Sequence, residues 1–242
     1  MLVLLVLLGL TSLFTATLSA MFGMVGGMLL MGVYAALLPI PAAMVMHGST
    51  QLLSNLSRAF LLRRSVFWSG VWLYVIGAVA SFAALYSVHW VPSPFFVFLS
   101  LGVTPFLAAL LPKRMLDFER RPAAVATGCL VAALQLTAGA AGPILDIAFV
   151  DSRLDREQVV ATKAVTQCFS HSLKLAYFVP AISSGSIQPE LLACVFVATL
   201  AGTKLGTVVL KRMTDASFRR YTRALIYAVG MMYLGKATLL LW

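Results

Sequence analysis

A chain of 242 residues that is 61% hydrophobic and only 11% charged, with a mean hydropathy of +0.95, lies far below the roughly 25% charge of soluble domains. That balance excludes a water-soluble fold. The net charge of +10 comes from 18 Lys and Arg residues grouped mostly in short connections between apolar runs, which points to a membrane protein and away from nucleic acid.

Taken in chain order, runs bounded by Pro, Gly and charge predict ten helical segments. They cover 2–22, 25–38, 42–62, 66–88 and 94–112, then 122–138, 141–150, 157–180, 188–210 and 217–241. The first run ends in small residues, as a secretory leader does. It lacks a basic n-region and is read as a retained helix. The fold class is an all-α membrane protein with roughly 8–10 transmembrane segments, since a hydrocarbon core of about 30 Å asks for about 20 apolar residues per span. Arg63 with Arg64, the run from Lys113 to Arg121, Arg153 with Arg156, and Lys211 to Arg223 fall on alternate connections, which are assigned to the cytoplasm. Pro39 to Pro41, His89 to Pro94 and Ser183 to Glu190 contain no Lys or Arg, so they and both termini are placed outside.

Sliding the chain by 116 positions puts Gly23 and Gly26 on Gly139 and Gly142, and Thr50, Gln51 and Ser54 on Thr166, Gln167 and Ser170. With five segments per copy, the second copy enters the membrane with the opposite orientation. Residues 1–116 and 117–242 thus read as inverted repeats in a single integral membrane domain, an arrangement that places a transport site at the repeat interface near the midplane.

The third segment of each half carries a polar stripe, because residues four apart share a helix face. In the first half His47, Gln51 and Asn55 run beside Thr50, Ser54 and Arg58; in the second, Lys163, Gln167 and His171 run beside Thr166, Ser170 and Lys174. Polar groups at membrane depth are costly and normally face a bundle interior or a wet cavity. Thr50, Gln51, Ser54, Asn55, Thr166, Gln167, Ser170, His171 and Lys163 are the candidate ligands of a small anion, with His47, Arg58 and Lys174 supplying positive potential above and below. The competing reading of the stripe is hydrogen bonding between packed helices; Arg58 and Lys174 could also snorkel to headgroups.

Gly23, Gly26 and Gly27, with Gly139 and Gly142, precede second segments too short for an untilted span. A helix that breaks and restarts there would aim its free N–H groups and positive dipole end at the cavity, a seat for an oxyanion; the bland reading is close helix packing. Asp146 is the one acid well inside an apolar run. Carrying a coupling proton, neutralising Lys163 and lying near the cytoplasmic surface all remain open for it. Cys129, Cys168 and Cys194 stand singly and are read as free thiols, without a cofactor or metal centre. The rivals to anion transport are a cation or metal transporter using His47, His171, Cys168 and Asp146, an intramembrane enzyme or redox partner, and a non-transporting scaffold. The first has no common metal-ligand spacing and the second no catalytic motif.

The stretch from His47 to Arg58 followed by Arg63 and Arg64, the stretch Lys163 to Gln167 with His171 and Lys174, and the glycine motif from Phe22 to Gly27 together resemble the TauE/SafE family of sulfite and organosulfonate exporters. The resemblance runs over essentially the whole chain. It implies a permease of the bacterial inner membrane that moves small sulfur-containing anions such as sulfite or sulfonates, with coupling to an ion gradient. The second glycine motif departs from the first by carrying Pro143 at the position matching Gly27.

Overall fold

The apolar runs become helices where prolines, caps and charges bracket them. In a computed structural model that describes residues 2–22, 25–112, 116–149, 152–182, 187–210 and 215–241, the chain is an all-α membrane protein. The order is α1 (Leu2–Phe22), α2 (Val25–Leu37), α3 (Ile40–Leu61), α4 (Trp68–Val88), α5 (Pro94–Leu110), α6 (Arg121–Thr137), α7 (Gly142–Ile147), α8 (Arg156–Phe178), α9 (Pro189–Leu210) and α10 (Asp215–Leu239). Ser93 caps α5 by accepting from the Phe96 N–H, with Pro94 in the first turn. Asp155 and Gln158 form a reciprocal capping box at the start of α8.

The predicted segment 141–150 shortens to the six residues of α7. Its end is set by the connection before α6: the Phe118 N–H donates to the Ala148 carbonyl, and Phe149 stacks on Phe118 with ring centroids 4.6 Å apart. Leu2–Phe22, Trp68–Val88 and Pro189–Gly206 are long and apolar enough to cross a membrane; Val25–Leu37, Pro94–Leu110 and Ala224–Leu239 are apolar but shorter. The long helices α3 and α8 fail that measure because they carry the polar stripes.

The pairing of helices follows the small residues. α1 lies along α9 and α4 along α6, the two most extensive helix contacts, followed by α3 on α8 and α5 on α10. A Cβ on Gly77 would run into the Val125 carbonyl and one on Gly128 into the Tyr74 carbonyl; Gly202 and Gly206 stand in the same relation to the carbonyls of Leu13 and Thr17. Backbones at this separation leave room only for hydrogen, as small residues permit in membrane interfaces. Gly128→Val should therefore force α4 and α6 apart and lower stability by about 1–3 kcal/mol, read as a fall in the unfolding temperature of the detergent-purified protein.

Helices α3 and α8 run antiparallel. Near one face the Phe67 N–H donates to Thr162 Oγ1, and Ser65 Oγ donates to Glu157 Oε2. Glu119 Oε2 also accepts from the Arg153 N–H there, so three of the four basic connections assigned to one side of the membrane meet. At the far end of α8, Tyr177 donates to the carbonyls of Leu85 and Trp90.

Candidate functional site

Where α3 and α8 face each other, with the start of α2 and the break between α6 and α7 closing the sides, a cavity of about 30 Å³ remains. One water needs about 10–15 Å³, so the space suits a small ion or a few waters. Its wall includes Gln51, Asn55 and Arg58 from α3, Gln167 and His171 from α8, Gln135 from α6, Ser19 from α1, and Gly27 and Gly142 at the starts of α2 and α7.

Each side chain is held by the fold. Arg58 stands one turn before the end of α3 and donates from Nη2 to Asn55 Oδ1 at 3.0 Å, while Asn55 Nδ2 donates to the Gln51 carbonyl at 2.9 Å. Arg58 has no carboxylate partner among the described residues. Gln135 Nε2 donates to Gln167 Oε1 at 2.9 Å, and Gln135 Oε1, Gln167 Nε2 and His171 Nδ1 are buried without a partner among the described residues. Buried unpaired polar atoms are rare in native proteins and cost about 1–3 kcal/mol each; here three of them belong to residues that line one cavity.

A second layer lies behind the wall. His47 lines the cavity, with Nε2 donating to the Gly27 carbonyl at 3.0 Å, while its Nδ1 faces Lys174 Nζ at 2.8 Å. Lys174 is fully buried and also donates to the Gly139 carbonyl at 2.7 Å. Gly139 has φ +82°, the left-handed conformation that ends α6 and turns its carbonyl toward the lysine. His47 and His171 meet edge to face, ring centroids 5.6 Å apart. Arg58 thus faces the cavity at one end, and His47 faces it at the other with Lys174 behind it, outside the wall. Along α3, Arg58 and His47 lie about 16 Å apart at 1.5 Å per residue.

The remaining candidates fall elsewhere. Thr50 donates its hydroxyl proton to the Met46 carbonyl, and Thr166 shares its own between the carbonyls of Thr162 and Lys163; neither lines the cavity. Ser170 is tied to the Tyr74 hydroxyl, and Ser54 accepts from Arg58. Lys163 forms an ion pair with Asp146, of the three readings left open for that acid the one in which it neutralises a lysine. Gly26 packs under α1 beside Thr15 and Ser19. Gly23 lies outside the described residues. The three cysteines are free, and no group of three His, Cys, Asp or Glu residues gathers among the described residues.

Sequence reading passed over Ser19 and Gln135. Both were legible, because Ser19 and Gln135 are themselves related by the offset of 116 that pairs Gln51 with Gln167 and Asn55 with His171. A glutamine in the middle of an apolar segment carries the same desolvation cost that marked the stripes.

The family model described as Sulfite exporter TauE/SafE matches residues 8–233. Among curated proteins and among solved structures, nothing matches the chain.

Proposed function

The chain belongs to the sulfite exporter TauE/SafE family, and from that premise we propose that it is a secondary transporter that moves a small sulfur-containing anion, sulfite or a simple sulfonate, by alternating access. The observation that carries the site assignment is the cavity between α3 and α8. It combines an arginine that meets no carboxylate among the described residues with two buried nitrogens, Gln167 Nε2 and His171 Nδ1, that have no partner among them. An oxyanion would accept from Arg58, from the amides of Gln51, Asn55 and Gln167, and from His171, replacing water with charge-assisted hydrogen bonds. The cargo crosses chemically unchanged, so the role is transport rather than catalysis.

Two inverted halves, 1–116 and 117–242, supply the moving parts. Three pairs in the wall are matched at one offset: Ser19 with Gln135, Gln51 with Gln167, and Asn55 with His171. The helix pairs α1 with α9 and α4 with α6 exchange under the same offset. A site made of equivalent positions in antiparallel helices has two related ways to open, one toward each side. The positive-inside distribution supports an inner-membrane location with both termini outside.

Counterflow of labelled sulfite into proteoliposomes tests the reading. Wild-type protein should exchange sulfite above protein-free vesicles, and Gln167→Ala should weaken apparent affinity roughly 10- to 100-fold, the worth of a hydrogen bond to a charged group. Unchanged exchange in both Gln51→Ala and Gln167→Ala would remove this cavity as the site.

A further inference from the structure

Lys174 presents a chemical question that anion binding does not answer. It is fully buried on α8, and among the described residues it has no carboxylate partner. Its two neighbours in hydrogen-bond range are both acceptors toward it: the Gly139 carbonyl at 2.7 Å and His47 Nδ1 at 2.8 Å. The acceptor role of Nδ1 follows from the other side of the ring, where Nε2 donates to the Gly27 carbonyl at 3.0 Å. A neutral amine has two N–H bonds and fills both acceptors completely. An ammonium fills the same two and carries one proton more. The geometry therefore holds either protonation state without breaking a bond. A buried ammonium is costly without a counter-charge, and the place for one is the cavity that His47 itself lines.

Resting on the transport reading above, we propose that the Lys174–His47 pair is the coupling-proton site of this transporter, taking up one proton as the anion enters the cavity and releasing it as the anion leaves. On entry an H–O bond of the aqueous donor breaks and an N–H bond forms on the pair; on exit the reverse occurs on the other side, and nothing is oxidised or reduced. The proton and the anion offset each other's charge within the membrane, so each lowers the cost of carrying the other, which is the reciprocity that coupling requires.

The groups that face the pair are consistent with a single exchangeable proton. α8 contributes His171 against the His47 ring, α6 presents Gln135 in the same wall, and Arg58 of α3 stands at the far end of the cavity. Tyr74 of α4 is engaged with Ser170, and Tyr34 of α2 with Ser12. Arg63 and Arg64, in the connection after α3, are exposed. Of the acids packed against these helices, Asp146 is committed to Lys163, while Asp155 and Glu157 stand at the far, N-terminal end of α8, where Glu157 accepts from Ser65. Lys174 itself does not line the cavity, which separates holding the proton from holding the anion.

The test uses full-length protein in proteoliposomes with labelled sulfite, read in two ways: exchange at equal pH on both sides, and net uptake driven by an imposed pH gradient. Wild type should show both. Lys174→Gln removes the amine from the pair, and Lys174→Arg holds a permanent charge in its place. Each should still exchange saturating sulfite above protein-free vesicles and lose gradient-driven uptake by more than about tenfold, since a coupling free energy of 1–3 kcal/mol is worth about 5- to 150-fold. Gradient-driven uptake surviving in both variants would overturn the proposal, as it would if the proton travelled on the anion as bisulfite. So would wild-type protein that exchanges sulfite yet ignores the pH gradient, a result that needs no variant to fold. Wild-type protein that exchanges no sulfite at all would instead sink the transport reading beneath it.

Discussion

Arg58→Met should raise the apparent dissociation constant for sulfite by about tenfold or more, because hydrogen bonds to a charged group are worth about 1.5–3 kcal/mol. The guanidinium lines the cavity and is anchored by Asn55 Oδ1 at 3.0 Å and the Ser54 carbonyl at 3.4 Å, both uncharged. No carboxylate among the described residues meets it, so an anion in the cavity would supply its countercharge. Arg58→Lys keeps the charge but loses the planar fork that can meet two oxygens of one anion, so it should recover part of the affinity and not all. Ligand-dependent thermal stabilisation of the purified protein gives the dissociation constants directly. Equal stabilisation by sulfite in wild type and Arg58→Met would place the anion elsewhere.

Gly26→Ala should have the largest structural effect of any single methyl group near the site. A Cβ there would collide with the Thr15 carbonyl and both Ser19 Oγ and Ser19 N, and two of those three atoms are backbone, which cannot swing aside. α2 must shift from α1, at about 1–3 kcal/mol for overpacking, and Ser19 and Gly27 shift with it as parts of the cavity wall. The expected result is a lower unfolding temperature together with impaired sulfite exchange. Gly235→Ala in α10 serves as the comparison, since nothing lies within 4 Å of the added carbon; there the substitution should be neutral, or stabilising by the gain in helix propensity of about 0.5–1 kcal/mol. If both variants unfold alike, the close approach of α1 and α2 is not what Gly26 provides.

Several helix starts were legible because they carry chemistry that a single sequence displays: Pro39 and Pro41 around the start of α3, Ser93 and Pro94 at the start of α5, Asp155 and Gln158 at α8. The end of α7 was not, because it depends on Phe118 and Ala148, which are 30 positions apart. The site divides in the same way. Fourfold spacing brought Gln51, Asn55 and Arg58 to one wall and Gln167 and His171 to the other. It could not separate them from Thr50 and Thr166, whose short hydroxyls reach the carbonyls of their own helices and are spent there. From the stripe alone Lys163 reads as a ligand of the anion; across the gap to α7 it is matched by Asp146. The link between Lys174 and His47 spans 127 positions and two antiparallel helices. Nothing local in either segment announces it.

The grip of α1 on α9 bears on how the chain is made. Phe22 ends the first of these helices and Pro189 begins the second, so at about 5–20 residues per second the ribosome needs roughly 10–30 s to deliver the later one. Throughout that interval Gly9, which ends up against Cys194 of α9, has no mate to close over it. Insertion of the early helices and their final consolidation must therefore be separate events in biogenesis, with the membrane itself, or an insertion factor within it, sheltering the unfinished surface until the ninth helix arrives.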